Sequence, residues 1–337
     1  MEPKLKRLRQ SAVIPKKLKW GVAGCGHFLE NTFLPTFQHL KKSKLISVYS
    51  SNISRANFIA DKFNASESFN DYNEFLRSDI EAVYISSKNS DHYWQVIEAA
   101  KAGKHILCEK PLAMTAREAQ KMVDICNKKN VKLTINYVFR YHPIIKKTKE
   151  LIDSNLLGKL ISISANFNID FKPNDNFRFI REQSGGGALR DLGTHTIDML
   201  RYLGGEITDI QGVIDNVVYI GEVEDFASAI VRFESGGYGG FNVSYNVQNP
   251  HNRIEILGFN GVIVIENLIA GKNATAKMTI HLKNEAKRAF RRRANRQLYL
   301  LRSVQKAFHK DKPLLVTGYD GLVNMRLMEE LEKKARG

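Results

Sequence analysis

Asp191 and His195 stand four residues apart in the stretch Gly185–Asp198, which reads GGGALRDLGTHTID, and Asp198 follows three residues later. On a helix these offsets bring the three side chains to roughly one face. An imidazole titrates near neutral pH, and a carboxylate one turn away on each side can orient it, so the triplet suits proton transfer. Acidic residues flanking a helical histidine also occur as plain surface pairs. A partner for His195 supplied from elsewhere in the chain would decide between the two.

At 337 residues the chain has room for one large domain or for two that share an interface. Its apolar content of 43% with 26% charged residues is that of a soluble globular protein. No apolar run approaches the ~18–20 residues of a membrane span. The N-terminal MEPKLKRLRQSAVIPKK is charged without an apolar core, unlike a secretory signal. Cys25, Cys108 and Cys126 form no C-x-x-C pair and are odd in number, which fits reduced thiols in a cytoplasmic protein. No metal site is expected.

The net charge of +16 is unevenly placed. Residues 1–20 carry seven Lys/Arg against Glu2, and residues 281–312 carry eleven against Glu285 and Asp311. Those segments contribute +6 and +9, so the rest of the chain is close to neutral. Basicity confined to two peripheral segments, away from the expected reaction site, argues against nucleic acid as the primary partner.

The elements that would carry a site begin after a basic arm, residues 1–17, which has no hydrophobic period and reads as a solvated tail. Leu18–Ala23 (LKWGVA) is β-prone and runs into Gly24-Cys25-Gly26, as a dinucleotide-binding βαβ unit begins. Glycines there admit the pyrophosphate to the backbone, and the following helix offers its N–H groups. Gly24, Gly26, His27 and Phe28 are therefore candidate cofactor contacts. The third glycine of G-x-G-x-x-G is absent, with Leu29 in its place.

The second strand, Leu45–Ser50, ends in Ser50-Ser51-Asn52, with Arg55 close behind and no carboxylate. Hydroxyls, an amide and a guanidinium can receive a 2′-phosphate, which favours NADP over NAD. The same residues would also serve as plain caps of the next helix. Further strands at Ala82–Ser86 and His105–Cys108 alternate with helices over Arg55–Phe63 and Tyr93–Ala102, the pattern of a doubly wound parallel sheet. Ligands in such sheets lie beyond the carboxyl ends of the strands, where Ser87, Asn89, Glu109 and Lys110 fall.

At GKHILCEKPLAMT (Gly103–Thr115), with SSKNSDH before it and GGGALRDLGTHTID after it, the chain resembles the glucose–fructose oxidoreductase/inositol dehydrogenase (Gfo/Idh/MocA) family. The similarity runs from about Lys19 to the C-terminal helix. It implies an NAD(P)-dependent oxidoreductase acting on a sugar, a cyclitol or a sugar derivative, and the basic segments would suit a phosphorylated or nucleotide-linked one. Lys110 matches the lysine of the family's E-K-P motif, which contacts the reacting oxygen. Asp191 and His195 match its D-x-G-x-H motif, the histidine as proton donor or acceptor and the acid as its orienter. Asn89 and His92 match a segment lining the nicotinamide, and Asn136 and Arg140 fall in an N-x-x-x-R region near the domain junction, Arg140 towards substrate. Lys88 stands where the family has proline. A non-catalytic nucleotide-binding regulator or scaffold is the alternative, but such a protein has no need of all three catalytic groups.

From about Tyr141 the pattern changes. A helix over Ile144–Ser154 precedes β-prone runs at Leu160–Phe167, Ile207–Val218, Phe226–Phe233, Gly239–Tyr245, Arg253–Leu257 and Val262–Asn267. These predict an α+β second domain with a largely antiparallel open sheet, giving a dinucleotide domain over 18–140, a substrate domain over 141–313 and a C-terminal helix over 314–337 that packs back on the first. In the resembled family this sheet often forms the oligomer interface, implying a homodimer or homotetramer. Phe226, Ala229, Val231 and Phe233 suit that face or the core equally. Apolar residues from Phe290 to Phe308 recur at helical spacing among arginines, predicting an amphipathic basic helix over 286–308. It can pack on the body with a solvated charged face, or attract an anionic membrane or a phosphorylated substrate.

Overall fold

The computed structural model describes residues 16–269 and 275–335, so the basic arm lies outside the described residues except for Lys16 and Lys17. The first sheet holds β1 (Leu18–Ala23), β2 (Ser43–Tyr49), β3 (Glu67–Phe69), β4 (Ala82–Ile85), β5 (His105–Cys108) and β6 (Leu133–Ile135), all parallel, in the order β3-β2-β1-β4-β5-β6. Helices α1 (Leu34–Phe37), α2 (Ile53–Phe63), α3 (Tyr72–Arg77), α4 (Asn89–Lys101) and α5 (Ala116–Lys128) alternate with them. Helices on both faces bury the central strands, which is why Ala82–Ile85 and Trp20–Ala23 read as unbroken buried runs. Strand order reverses between β1 and β4, and a ligand crevice opens beyond their carboxyl ends.

Local chemistry ends each element where the sequence supplies a cap. Asn52 accepts from the Arg55 amide at 3.1 Å to start α2, and Asn64 closes it in the left-handed region. Thr115 and Glu118 form a reciprocal capping box on α5. Gly24 is required twice over, since its φ is +88° and a Cβ there would lie 2.4 Å from the Ser87 amide nitrogen. Leu29, where the fingerprint has its third glycine, is fully buried in the core at the start of a wide turn over Leu29–Phe33.

The remaining elements are α6 (Pro143–Asp153), β7 (Leu160–Asn168), α7 (Arg181–Ser184), α8 (Thr194–Gly204), β8 (Ile207–Asp215), β9 (Phe226–Phe233), β10 (Tyr238–Ser244), β11 (Arg253–Gly258), β12 (Gly261–Glu266), β13 (Thr275–Leu282), β14 (Arg288–Arg293), α9 (Arg296–Lys310) and α10 (Gly318–Ala335). The second sheet runs β14-β13-β12-β11-β7-β10-β9-β8 and is antiparallel except where β7 meets β10. Its inner face packs beneath α6 and α8. Ala229, Val231 and Phe233 lie on that inner, buried face, whereas Phe226 alternates to the other side with Ile230. The four therefore do not share one face, because strand parity divides them.

The predicted helix over 286–308 is two elements. Arg288–Arg293 is an exposed edge strand in register with β13, Phe290 opposite Met278, and the helix begins only at Arg296, capped by Asn295. A run of arginines on an edge strand deters further strand pairing, and its apolar spacing imitates a helix. Helix α9 packs on the first domain: Phe308 stacks 5.6 Å from Trp20, and Gln305 donates to Ser43 at 2.6 Å. The C-terminal α10 lies against α5 and also against β8, so it ties the two domains together instead of covering only the first. Among the described residues, no helix is long and apolar enough to cross a membrane.

Candidate active site

The crevice beyond β1 and β4 continues into the junction with the second domain as a cavity of about 390 Å³. A larger groove of about 820 Å³, between α5, α9 and α10, holds none of the candidate catalytic groups. Gly26, His27 and Phe28 from the turn after β1, Ser86, Ser87 and Asn89 after β4, Glu109 and Lys110 after β5 and Asn136 after β6 line the smaller cavity. Phe167, Asn176, Phe177, Arg178 and His195 close it from the second domain.

Lys110 is held rigidly at the end of β5. Its ammonium donates to the backbone carbonyl of Asp191 at 2.8 Å and bonds the Asp191 carboxylate. The peptide to Pro111 is cis. Asp191 also accepts from Tyr245 Oη at 3.1 Å and lies 3.4 Å from Arg178 Nε. Burial would raise its pKa, but Lys110 and Arg178 outweigh that and hold the carboxyl well below the usual carboxylate range. Among the described residues Asp191 makes no hydrogen bond to His195; it organises the lysine instead.

His195 sits among Phe139, at 5.1 Å edge-on, Tyr137 and Phe167. Its Nδ1 is buried without a partner, which leaves Nε2 as the ring nitrogen able to meet a ligand. Burial and then the nearby Lys110 charge push its pKa well below the ordinary value, so the ring is neutral at physiological pH. The segment that carries it bends through a wide turn, Leu189–Gly193, that departs from 3.6 residues per turn. The turn sets Asp191 off from the helical register of α8, which carries both His195 and Asp198, and Asp198 does not line the cavity. It is fully buried against Arg140, with bonds of 2.9 and 2.7 Å, and faces Asn324.

The glycine run has its own cause. A Cβ on Gly187 would lie 1.9 Å from the Glu224 carbonyl oxygen, while the Glu224 carboxylate accepts the Gly187 and Leu189 amides at 2.9 and 3.1 Å. That clamp anchors the start of the segment bearing Asp191 and His195.

Two expected contacts lie elsewhere. Arg140 does not reach the cavity, because Asp198 and Asp320 occupy its guanidinium at the domain junction. His92 is fully buried, with Nδ1 2.9 Å from the Pro111 carbonyl oxygen, so it braces the Lys110 loop without touching the crevice. Lys88 takes the extended backbone of an N-cap on α4, the conformation proline would impose. Asn89 donates to the Ser184 carbonyl at 2.8 Å across the domain junction. Glu109 accepts from Tyr84 and Asn136.

Ser50, Ser51, Asn52 and Arg55 sit at the carboxyl end of β2, outside the cavity. Asn52 is engaged as a cap, and Arg55 donates to the Cys25 carbonyl at 2.9 Å and pairs with Glu30. Hydrogen bonds from Lys62 and then Arg55 hold the Glu30 pKa down to about 2. Arg178, Tyr245 and Arg296 escaped sequence reasoning. Arg178 carries no periodic or motif signal, Tyr245 only closed a β-prone run, and Arg296 sat inside a basic stretch read as peripheral.

A parallel sheet with a glycine turn at its switch point, joined to a second sheet that closes a lysine, an aspartate and a histidine over the crevice, defines a dinucleotide-dependent oxidoreductase. Gly26 fits that cofactor: it lines the crevice, and nothing lies within 4 Å of where its Cβ would be. The chain belongs to the Gfo/Idh/MocA oxidoreductase family. Residues 18–137 match the family's NAD-binding Rossmann-fold domain and residues 145–264 its C-terminal domain. An oxidoreductase of Formosa agariphila is 32% identical over 202 residues, 58% of this chain and 63% of that protein. Levoglucosan dehydrogenase of Pseudarthrobacter phenanthrenivorans is 31% identical over 278 residues, 72% of this chain and 71% of the relative. In fold, the chain is similar to the aldose-aldose oxidoreductase of Caulobacter crescentus, with a TM-score of 0.88 at 24% identity over 95% of this chain and 98% of that one.

Proposed function

We propose that this protein moves hydride between a nicotinamide nucleotide and a hydroxyl-bearing or carbonyl carbon of a sugar, a cyclitol or a sugar derivative. The carrying observation is the meeting of Lys110 from the first domain with Asp191 and His195 from the second, at the mouth of a dinucleotide crevice. The bound nicotinamide would supply or accept the hydride. In oxidation the neutral His195 Nε2 takes the hydroxyl proton, and in reduction it returns one. The Lys110 ammonium hydrogen-bonds the same oxygen and stabilises its developing charge. Asp191 fixes that ammonium in place. The aromatic wall of Tyr137, Phe139 and Phe167 keeps water from the imidazole.

NADP is the preferred nucleotide in this reading. The end of β2 offers no carboxylate to a ribose 2′-hydroxyl, whereas Ser50, Ser51 and the unspent N–H groups of Arg55 suit a 2′-phosphate. A fluorescence titration with NADPH and NADH tests both points. Tighter NADPH binding that Arg55→Ala reduces selectively supports the assignment, and NADH preference reverses it. Binding of neither nucleotide removes the functional reading.

The outer face of the second sheet supports a homo-oligomer. Val213, Ile230 and Tyr238, on β8, β9 and β10, are each more than half exposed there. A monomer in sedimentation experiments at micromolar concentration would refute that assignment.

A further inference from the structure

Arg296 differs from the other partly or fully buried arginines around it. Arg55, Arg140, Arg178, Arg190 and Arg201 each meet a carboxylate. Arg296 is half-buried in the wall of the catalytic cavity and, among the described residues, has no carboxylate within ion-pair distance. Among the described residues its side chain's one hydrogen bond goes to a neutral group, the Leu268 carbonyl, at 2.8 Å. Its guanidinium otherwise lies 4.5 Å over the Phe139 ring.

Two further features sharpen the electrostatics. Arg296 is the first residue of α9, whose first turn contains no acid, so a fixed cation sits where the helix already presents positive partial charge. Burial also lowers its pKa to about 10, the sign of a charge removed from water without compensation. A guanidinium kept in that state is at a cost that an anion would relieve.

The phosphates of a bound dinucleotide would be received by the glycine turn at Gly26–Phe28, which lines the same cavity. Arg296 stacks on Phe139, which in turn meets His195 and Phe167 of the second domain, the side where the reacting substrate must lie.

We infer that the substrate carries a negative group, a carboxylate or a phosphate, and that Arg296 binds it while Lys110 and His195 address the reacting carbon. This rests on the proposed oxidoreductase function and narrows its substrate to acidic sugars or phosphate-bearing ones. Arg178, whose guanidinium lines the same cavity, can share the anion while keeping its contact with Asp191.

The full chain saturated with reduced nucleotide is titrated with D-glucose, D-glucuronate and D-glucose 6-phosphate, following the fluorescence of the bound nucleotide. At low salt at least one anionic probe is expected to bind about tenfold or more tightly than D-glucose, the margin of one charge-assisted hydrogen-bonded pair. The tighter of the two tells carboxylate from phosphate. Arg296→Gln removes the margin without changing nucleotide affinity, and Arg296→Lys, which keeps the charge if the glutamine variant does not fold, retains part of it. Equal binding of the three sugars, or binding of none, by nucleotide-loaded protein overturns the inference and leaves the proposed function standing. Loss of nucleotide affinity in Arg296→Gln also overturns it, since Arg296 would then serve the cofactor. A chain that binds no nucleotide fails at the proposed function itself.

Discussion

The ammonium of Lys110 lies 2.8 Å from the backbone carbonyl oxygen of Asp191 while also pairing with that residue's carboxylate, so one side chain from the first domain is locked onto the segment that carries His195. The two domains thus share their reactive groups through a single contact.

Lys110→Ala and His195→Ala should each lower kcat by about 10²–10⁴, the range for one acid–base group. Asp191→Asn should also lower kcat, because it frees the ammonium it holds. Nucleotide affinity should stay within about twofold in all three, since none supplies the glycine turn. Steady-state kinetics beside nucleotide titration would check this, and near-normal turnover in the lysine and histidine variants would sink the assigned roles.

The pH profile follows from His195. Its folded pKa is depressed, so the base form persists as pH falls through the ordinary histidine range. The acid limb of kcat/KM for oxidation should therefore lie below about 6.5. Lys110 is one cause of the depression, so the residual activity of Lys110→Gln should show that limb moved upwards. A wild-type limb at or above the ordinary value would contradict the buried, neutral ring.

Stability should fall with pH for a related reason. His142 is buried and pushed down to about 4, first by burial and then by Arg296, and His92 and His195 shift in the same direction. Below an unfolded pKa near 6.5 the unfolded chain binds protons that the folded one refuses, so stability present at neutral pH is lost towards pH 4, by up to about 1.4 kcal/mol per pH unit for each ring. His142 also caps α6, accepting from the Ile144 amide at 3.2 Å, and His142→Asn keeps a cap while deleting the titration. Urea unfolding at pH 7 and pH 5.5 should give a shallower loss in that variant; an unchanged slope would refute the assignment.

Arg140 should behave as a structural residue. Its pair with Asp198 is almost fully buried, and removing one partner leaves an unpaired interior charge. Arg140→Ala should cost about 3–5 kcal/mol of stability, with sugar KM unchanged in the folded fraction. Asp198→Ala should do the same. Thermal melts and kinetics on the same samples would decide, and an intact melting temperature with a raised KM would return Arg140 to the substrate site.

Much of the architecture was legible in the chain. Strand and helix alternation up to Ile135 and the glycine turn after β1 are short-range signals, carried by periodicity and backbone sterics, and the structure follows them closely. The basic stretch from Arg288 misled because apolar residues every three or four positions satisfy a helix, while pairing of Phe290 opposite Met278 exists only once β13 is beside it. Asp198, read from helical spacing, and His92, read from its motif position, misled because neither signal says which way burial turns a side chain: they meet Arg140 and the Pro111 carbonyl.

By itself the sequence determined the two-domain order and the glycine turn, and it singled out Lys110, Asp191 and His195 as candidates, because each rests on local spacing or on a recognisable motif. Only the tertiary structure decided which groups face the cavity, that Asp191 holds the lysine instead of the histidine, and that Arg296 stands there uncompensated. Those outcomes depend on desolvation and on partners more than fifty residues away in sequence, such as Tyr245 for Asp191 and Phe139 for Arg296. Long-range contact of that kind leaves no period in the chain to read.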